Sequence, residues 1–297
     1  MSTTQTAFDQ FIAAEISKYN GISMPLKASF WECLLIRREK CDRLHPNPTD
    51  EFCMPEVGPS YRIISEYEKK IRDALEKGED PVKDWDEPIM VEKMYPDGYQ
   101  ILNGHHRWAA AMRTGLKKVP VSIINPTHEA DIREMLANST HEKRVTFDLD
   151  EVVFRDENST DIEKPLMFPF HKLYPERIRR GFPALCHYLS TRGYDIWVYT
   201  CKLYSTNYIK KLFRRNHVQI NGVITAIGKT DQSITTKKNI EKMFAQKYPV
   251  TVNVDEVMVL SIDRTAKSFR QFDLTQPADR WAAEVRSIFE ETDSHEP

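Results

Sequence analysis

A chain of 297 residues with 40% hydrophobic content is long enough for two ordinary domains, each with its own core. The formal net charge of -2 and a pI near 6.5 exclude a global basic field that would drive the protein onto nucleic acid or an anionic membrane. Cys33, Cys41, Cys53, Cys186 and Cys201 form no CxxC pair and no metal-ligand spacing, and read as ordinary thiols of a reducing compartment. No apolar run approaches the roughly 20 residues of a membrane span. The opening MSTTQTAFDQF lacks the basic-then-apolar order of a secretion signal, so the sequence reads as cytoplasmic and without a membrane partner.

In chain order, Phe8, Phe11, Ile12 and Ile16 predict an amphipathic helix over residues 1–20. FWECLLIRREKC (30–41) reads as a strand, and LHPNPTDEF (44–52) as a loop, because two prolines forbid regular structure. SYRIISEYEKKIRDALEKGED (60–80) predicts a helix with Ile63, Ile64, Tyr67, Ile71 and Leu75 on one face, closed by Gly78. EPIMVEKMY (87–95) and YQILN (99–103) form a hairpin through the turn PDG. HRWAAAMRTG (106–115) is a helix stopped by glycine, KVPVSIIN (118–125) a strand, and 126–143 a polar helical stretch. From 145 the order becomes β-α-β-α: VTFDLDEVVF, helix 182–193, strand 194–200, helix 205–218, strand 222–227, helix 235–247 and strand 249–255. That order predicts a parallel sheet with helices on its faces. Only the tail ETDSHEP reads as disordered. The expected fold class is α/β, with domains at 1–142 and 143–297.

Two constellations carry chemistry. In ILNGHHRW (101–108) a strand hands over to a helix whose first N–H groups point forward unpaired, with the positive end of the dipole behind them. Gly104 lets a ligand approach the backbone, and His105, His106 and Arg107 add donors suited to phosphate oxygens. A second reading stays open, in which Gly104 is a turn residue and the histidines cap the helix. In VTFDLDEVVF, Asp148 and Asp150 stand two apart at a strand's end and share one face, so they call for a cation such as Mg²⁺ or else merely cap the strand.

The stretch DPVKDWDEPIMVEKMYPDGYQILNGHHRWAAAMRTGLKKVPVSII, with CDRLHPNPTDEF upstream, resembles the ParB/sulfiredoxin-like fold over about residues 28–125. In that fold a strand-turn-helix G-x-[HR]-R binds nucleotide phosphates. The resemblance implies a nucleotide-binding domain with Gly104, His105, His106 and Arg107 at the phosphates and ATP or ADP as the ligand. Sulfiredoxins carry their reactive cysteine where His105 stands, and partitioning ParB proteins usually read G-E-R-R. GHHR is similar to the free-serine-kinase branch, which implies Glu51, or Asp50, as the base that activates a hydroxyl.

The stretch VTFDLDEVV resembles the D-x-D-x-[TV] signature of haloacid dehalogenase-like phosphatases, with Asp148, Asp150 and Val152 in register. WVYT ending in Thr200, TTKKNIEKMF with Lys237 and Lys238, and VTVNVDEV with Asp255 and Glu256 follow in the family's order. The resemblance implies a Rossmann-like domain with a parallel sheet and a phosphoric ester hydrolase using Mg²⁺. Asp148 would be the nucleophile, Asp150 the acid and base, Thr200 and Lys238 the phosphoryl-binding groups, and Asp148, Asp150 through its backbone carbonyl, and Asp255 the metal set. Lys229 and Lys237 compete for the lysine role, and Glu256 and Asp263 for the metal. The short intervals between motifs imply an uncapped site. The expected function is a two-domain phosphotransfer enzyme, a phosphatase joined to a nucleotide-binding and kinase-like module, with a phosphorylated substrate and a nucleotide as partners. The alternative is a ParB-like nucleic-acid-binding regulator with a non-catalytic second half, toward which the basic clusters RRGF (179–182) and KKLFRRNH (210–217) point.

Overall fold

The computed structural model describes residues 3–19, 21–83, 85–226, 234–265, 267–276 and 278–294. The described residues fall into two compact units, 3–126 and 127–294. No helix among them is long and apolar enough to cross a membrane.

In the first unit, α1 (Thr3–Tyr19) lays Phe8, Phe11 and Ile16 on the core, as its spacing predicts. β1 (Met24–Pro25) and α2 (Phe30–Leu34) follow. The strand expected over 30–41 is divided. Glu32 N–H donates to Ser29 Oγ at 3.3 Å and Ser29 N–H to Glu32 Oε2 at 2.8 Å, and this capping box coils 30–34 into a helix. Only β2 (Arg37–Lys40) is strand. β3 (Leu44–His45) and a 3₁₀ turn at Glu51–Cys53 lead to α3 (Tyr61–Glu76). This helix buries Ile64, Glu68, Ile71 and Ala74 and leaves Leu75 49% exposed, so the buried face is rotated from the expected one. The cause is Glu68, which faces inward and accepts from Arg113 Nε at 2.5 Å. Arg113 ends α4 (His105–Arg113), which follows β4 (Ile89–Tyr95) and β5 (Tyr99–Asn103) and precedes β6 (Lys118–Ile123). The sheet runs β2-β6-β4-β5-β3, with β1 paired to β4 and the expected antiparallel hairpin between β4 and β5.

The second unit begins with α5 (Glu129–Ala137). Ile132, Met135 and Leu136, at i, i+3 and i+4, enter its core. By packing, the units part at Pro126/Thr127, whereas the sequence placed the boundary at 142/143; the polar surface of this segment covers a narrow apolar stripe. β7 (Lys143–Asp148) runs into a one-turn π-helix, Leu149–Val153, then β8 (Phe154–Arg155), α6 (Phe170–Leu173) and β9 (Arg177–Ile178). α7 (Phe182–Thr191), β10 (Tyr194–Tyr199), α8 (Thr206–Arg215), β11 (Gly222–Ile224), α9 (Ile234–Lys247) and β12 (Val250–Val254) alternate as expected. The sheet order is β11-β10-β7-β12-β13-β14, including β13 (Met258–Asp263) and β14 (Ser268–Asp273). The first four strands are parallel and the last two antiparallel, so the sheet is mixed where a parallel one was expected. α10 (Trp281–Ser294) closes the unit, placing Glu291–Ser294 of the supposedly disordered tail in a helix.

The parallel strand β10 is buried from Tyr194 to Val198, including Asp195, whose carboxylate accepts from Tyr248 Oη at 2.9 Å and Asn221 Nδ2 at 2.8 Å. Trp197 of β10 is paired with Gly222 of β11 and is fixed by its Nε1–H donating to Tyr248 Oη at 3.0 Å. A methyl group at 222 would overlap the Trp197 ring. Gly222→Ala is therefore expected to lower stability by about 1–3 kcal/mol, the range for overpacked cores; urea unfolding that leaves the midpoint unchanged would contradict this packing.

Candidate functional site

The first constellation forms a pocket. Gly104 adopts φ 101°, ψ 23°, the left-handed region, directly before α4, and offers no side chain to cap the helix. A Cβ there would lie 3.1 Å from Arg107 Nη2 and 3.3 Å from Ile89 Cγ1. The glycine thus satisfies both a backbone and a steric demand. A cavity of about 210 Å³ opens at this helix start, lined by Asp50, Ile63, Tyr67, Asn103, Gly104, His105, His106 and Arg107. The helix geometry leaves the first N–H groups without intrahelical acceptors, on the positive end of the dipole.

The side chains divide their tasks. His105 is buried, stacks on Phe52 at 5.3 Å and accepts the Asn47 N–H at Nε2, 3.1 Å away. Its Nδ1 faces Asp50 Oδ1 at 3.5 Å. Burial pushes its pKa down to about 4, with Asp50 opposing and His106 adding to the shift, so the ring is neutral at pH 7. His105 therefore positions the 47–50 loop and does not supply a cation. His106 accepts the Ser60 N–H at 3.1 Å and is also pushed down by burial. Arg107, 7% exposed, donates to the Glu87 carbonyl and folds against Gly104. Glu51, expected as a base, is exposed and lies outside the lining; its neighbour Asp50 faces the cavity. Tyr67 and Ile63, assigned only to a buried helix face by spacing, line the pocket because Glu68 rotates α3.

The second constellation gathers at the carboxyl edge of the parallel strands. Asp148 ends β7, and its Oδ1 accepts the N–H groups of Asp150 at 2.7 Å and Glu151 at 3.1 Å. Asp150 Oδ2 accepts from Thr200 Oγ1 at 2.6 Å, across from the tip of β10, and Lys202 Nζ stands 3.2 Å from Asp150 Oδ1. Thr200 is fully buried; its hydroxyl donates to Asp150 and its oxygen accepts from Lys202 N–H at 3.0 Å. Lys202, two residues past Thr200, is the cation on the acids. Strand-end spacing alone would have found it. Lys237 and Lys238 are exposed on α9, and Lys229 lies outside the described residues.

Asp255 follows β12 and lines, with Asp150, Glu151, Arg155 and Glu256, an open cleft of about 670 Å³. Burial, and then the negative field of Asp148 and Asp255, push the Tyr199 hydroxyl up to about 12. Among the described residues no group of three or more His, Cys, Asp or Glu is arranged to hold a metal ion. Of the expected set, Asp150 and Asp255 line this cleft and Asp148 ends the neighbouring strand β7, with the Asp150 carboxylate facing Thr200 and Lys202. Asp263 cannot join it. Val250 pairs with both Lys143 and Asp263, which puts Asp263 at the opposite edge, five residues or about 16 Å from Asp148. Glu256 is held instead by Arg155 at 2.8 Å.

Residues 58–140 match the ParB N-terminal domain. The chain thus carries a ParB-type N-terminal domain, whose match covers the first unit from residue 58 on, runs through α5 of the second, and spans well under half of the chain. Among solved structures, the C-terminally truncated chromosome-partitioning protein ParB from Caulobacter crescentus complexed with CTP-gamma-S is similar at 27% identity, covering 35% of this chain and 52% of that one, with a TM-score of 0.24. The same protein complexed to the centromeric parS site is similar at 22% identity over 35% and 50%, TM-score 0.22. A conserved hypothetical protein from Pyrococcus furiosus is similar at 13% identity over 89% and 88%, TM-score 0.22. The chain spans about half the length of the ParB chains it matches. At TM-scores this low, no function is transferred from these structures. No curated protein matches the sequence.

The neutral His105 makes a pH prediction. Its folded pKa lies below its ordinary 6.5, so the unfolded chain binds the extra proton first. The stability it contributes is fully present above pH 6.5 and is lost as pH falls through about 4. Urea midpoints of the wild type should drop between pH 7 and pH 4.5 more steeply than those of His105→Gln; parallel pH profiles would contradict a buried, neutral ring.

Proposed function

We propose that the chain is a nucleotide-binding protein of ParB type that acts on nucleic acid, with the nucleotide's phosphates held at the start of α4. One coincidence carries this reading: the segment matching the ParB N-terminal domain supplies every residue that lines the pocket at Gly104 except Asp50. The chemistry fits an anion. Forward-pointing N–H groups and the helix dipole favour negative charge, and Arg107 adds a fixed guanidinium beside them. Asp50 suits a hydrogen-bond donor such as a ribose hydroxyl, and the half-buried Tyr67 offers a flat face to a base. No bond to the nucleotide is broken in this reading. Titration calorimetry with ATP, ADP and CTP should detect binding to the wild type, and Gly104→Ala should weaken it by about tenfold or more by placing a methyl group against the Arg107 guanidinium. Failure of all three nucleotides to bind would overturn the reading.

A second reading is favoured by the Thr200–Asp150 contact at the tips of adjacent parallel strands. On it the second unit is a phosphoric ester hydrolase of the haloacid dehalogenase-like kind. Asp148 Oδ2, which takes no part in the turn's hydrogen bonds, attacks phosphorus; the ester P–O bond breaks, and Asp150 gives its proton to the leaving oxygen. Water then attacks the aspartyl-phosphate, returning a proton to Asp150 and releasing phosphate. Lys202 takes the role of the phosphate-side cation that Lys238 was expected to fill. Release of p-nitrophenol from p-nitrophenyl phosphate in the presence of Mg²⁺, falling to background in Asp148→Asn, is the expected result. Equal turnover by the variant, or none by the wild type, would leave the second unit as a scaffold.

A further inference from the structure

We propose that the second unit carries a docking surface for a single-stranded polynucleotide, built from the exposed Phe168 and the cations of Lys172, Arg214 and Arg215. The inference rests on the reading of the chain as a nucleic-acid-binding protein, and it locates the strand on a unit outside the ParB-type domain.

Three observations converge. The chain between β8 and β9 makes a long excursion, and at its tip Met167 is 84% and Phe168 75% exposed, the two most exposed large apolar side chains among the described residues. Single exposed apolar residues are ordinary; a bare Met-Phe pair between Pro165 and Pro169 with cations around it is not explained by the core. Lys172 Nζ stands 5.8 Å from the Phe168 ring centroid and the His171 ring 6.0 Å away. The Arg215 guanidinium stacks 3.9 Å from the Phe170 ring, which ties the excursion to α8.

The second observation is charge. From Cys201 to His217 the chain has Lys202, Lys210, Lys211, Arg214 and Arg215 and no acid, in a protein whose net charge is -2. Ile209, Leu212 and Phe213 of α8 are buried, and Lys210, Lys211, Arg214 and Arg215 are exposed. Lys210, Arg214 and His217 line a hollow of about 450 Å³. The negative end of the helix dipole accounts for basic residues in its last turn. It does not account for Lys172 or for a bare phenylalanine beside them.

The third is an aromatic strip leading inward. Tyr174 and Tyr208 lie 5.0 Å apart, Tyr208 and Tyr204 stack at 5.9 Å and 11°, and Tyr204 meets Phe154 at 6.1 Å. Phe154 lines the acid cleft. Tyr174 is 4% exposed and the Tyr208 hydroxyl donates to Glu176 Oε2 at 2.6 Å, so these rings brace the excursion from below and the exposed Phe168 is the ring left for a base. A single strand offers both its phosphates and its unstacked bases to such a ring among cations, whereas a duplex hides the base faces.

Anisotropy of a fluorescein-labelled thymidine oligonucleotide of about 20 residues, titrated with the full chain, tests this. Phe168→Ala is expected to weaken binding by about fivefold or more, the loss of one stacked base. Lys172→Glu with Arg214→Glu should weaken it by about tenfold or more and flatten its salt dependence. Both variants change exposed side chains, so their circular dichroism should match the wild type. Oligonucleotide binding that survives both variants, or capture of duplex, polyglutamate or phosphatidylserine vesicles as tight as that of the single strand, would overturn the surface. If only duplex binds, the nucleic-acid reading stands and this surface falls; if neither form binds, both fall.

Discussion

The left-handed turn at Gly104 is the constraint on which the first unit's site depends. A residue with a Cβ would be strained at φ 101° and would press on the Arg107 guanidinium and Ile89. With glycine there, β5 passes into α4 with no side-chain cap on the helix start, beside the cavity that Gly104, His105, His106 and Arg107 line. Everything else around the pocket is support. Asn47 and Phe52 hold His105, Ser60 holds His106, and the Glu87 carbonyl holds Arg107. These side chains are oriented before any ligand arrives, so binding does not have to order them.

The two sites use the same geometric device with opposite results. Each follows a strand whose end runs into a helical turn. At Gly104 the turn has no side-chain cap. At Asp148 the turn is capped by its own carboxylate, which accepts from Asp150 and Glu151. The surrounding acids Glu151, Asp255 and Glu256 then make the second cleft electronegative, with Lys202 and Arg155 as local counter-charges. On the proposed reading, a phosphate is held at the first site and meets a mixed field at the second.

Much of this was legible in the sequence. The β5–α4 handover at NGHHR, the hairpin at PDG and the alternation from 145 onward all follow from glycine, proline and apolar spacing. Most of what escaped depended on partners remote in sequence. Glu68 is inward because Arg113, 45 residues on, meets it, and this turned α3 and put Tyr67 at the pocket. The FWECL helix turned on a local capping box that the apolar run obscured. Asp263 was a candidate ligand until the antiparallel register of β13 placed it at the far edge of the sheet.

The most direct test of the open helix start is an amide ¹H–¹⁵N titration of the protein with ATP and CTP. The N–H signals of His105, His106 and Arg107 should shift most, with Asp50 and Tyr67 following at lower amplitude. Shifts confined to residues outside this turn, with those three amides unmoved at saturation, would contradict phosphate binding at Gly104.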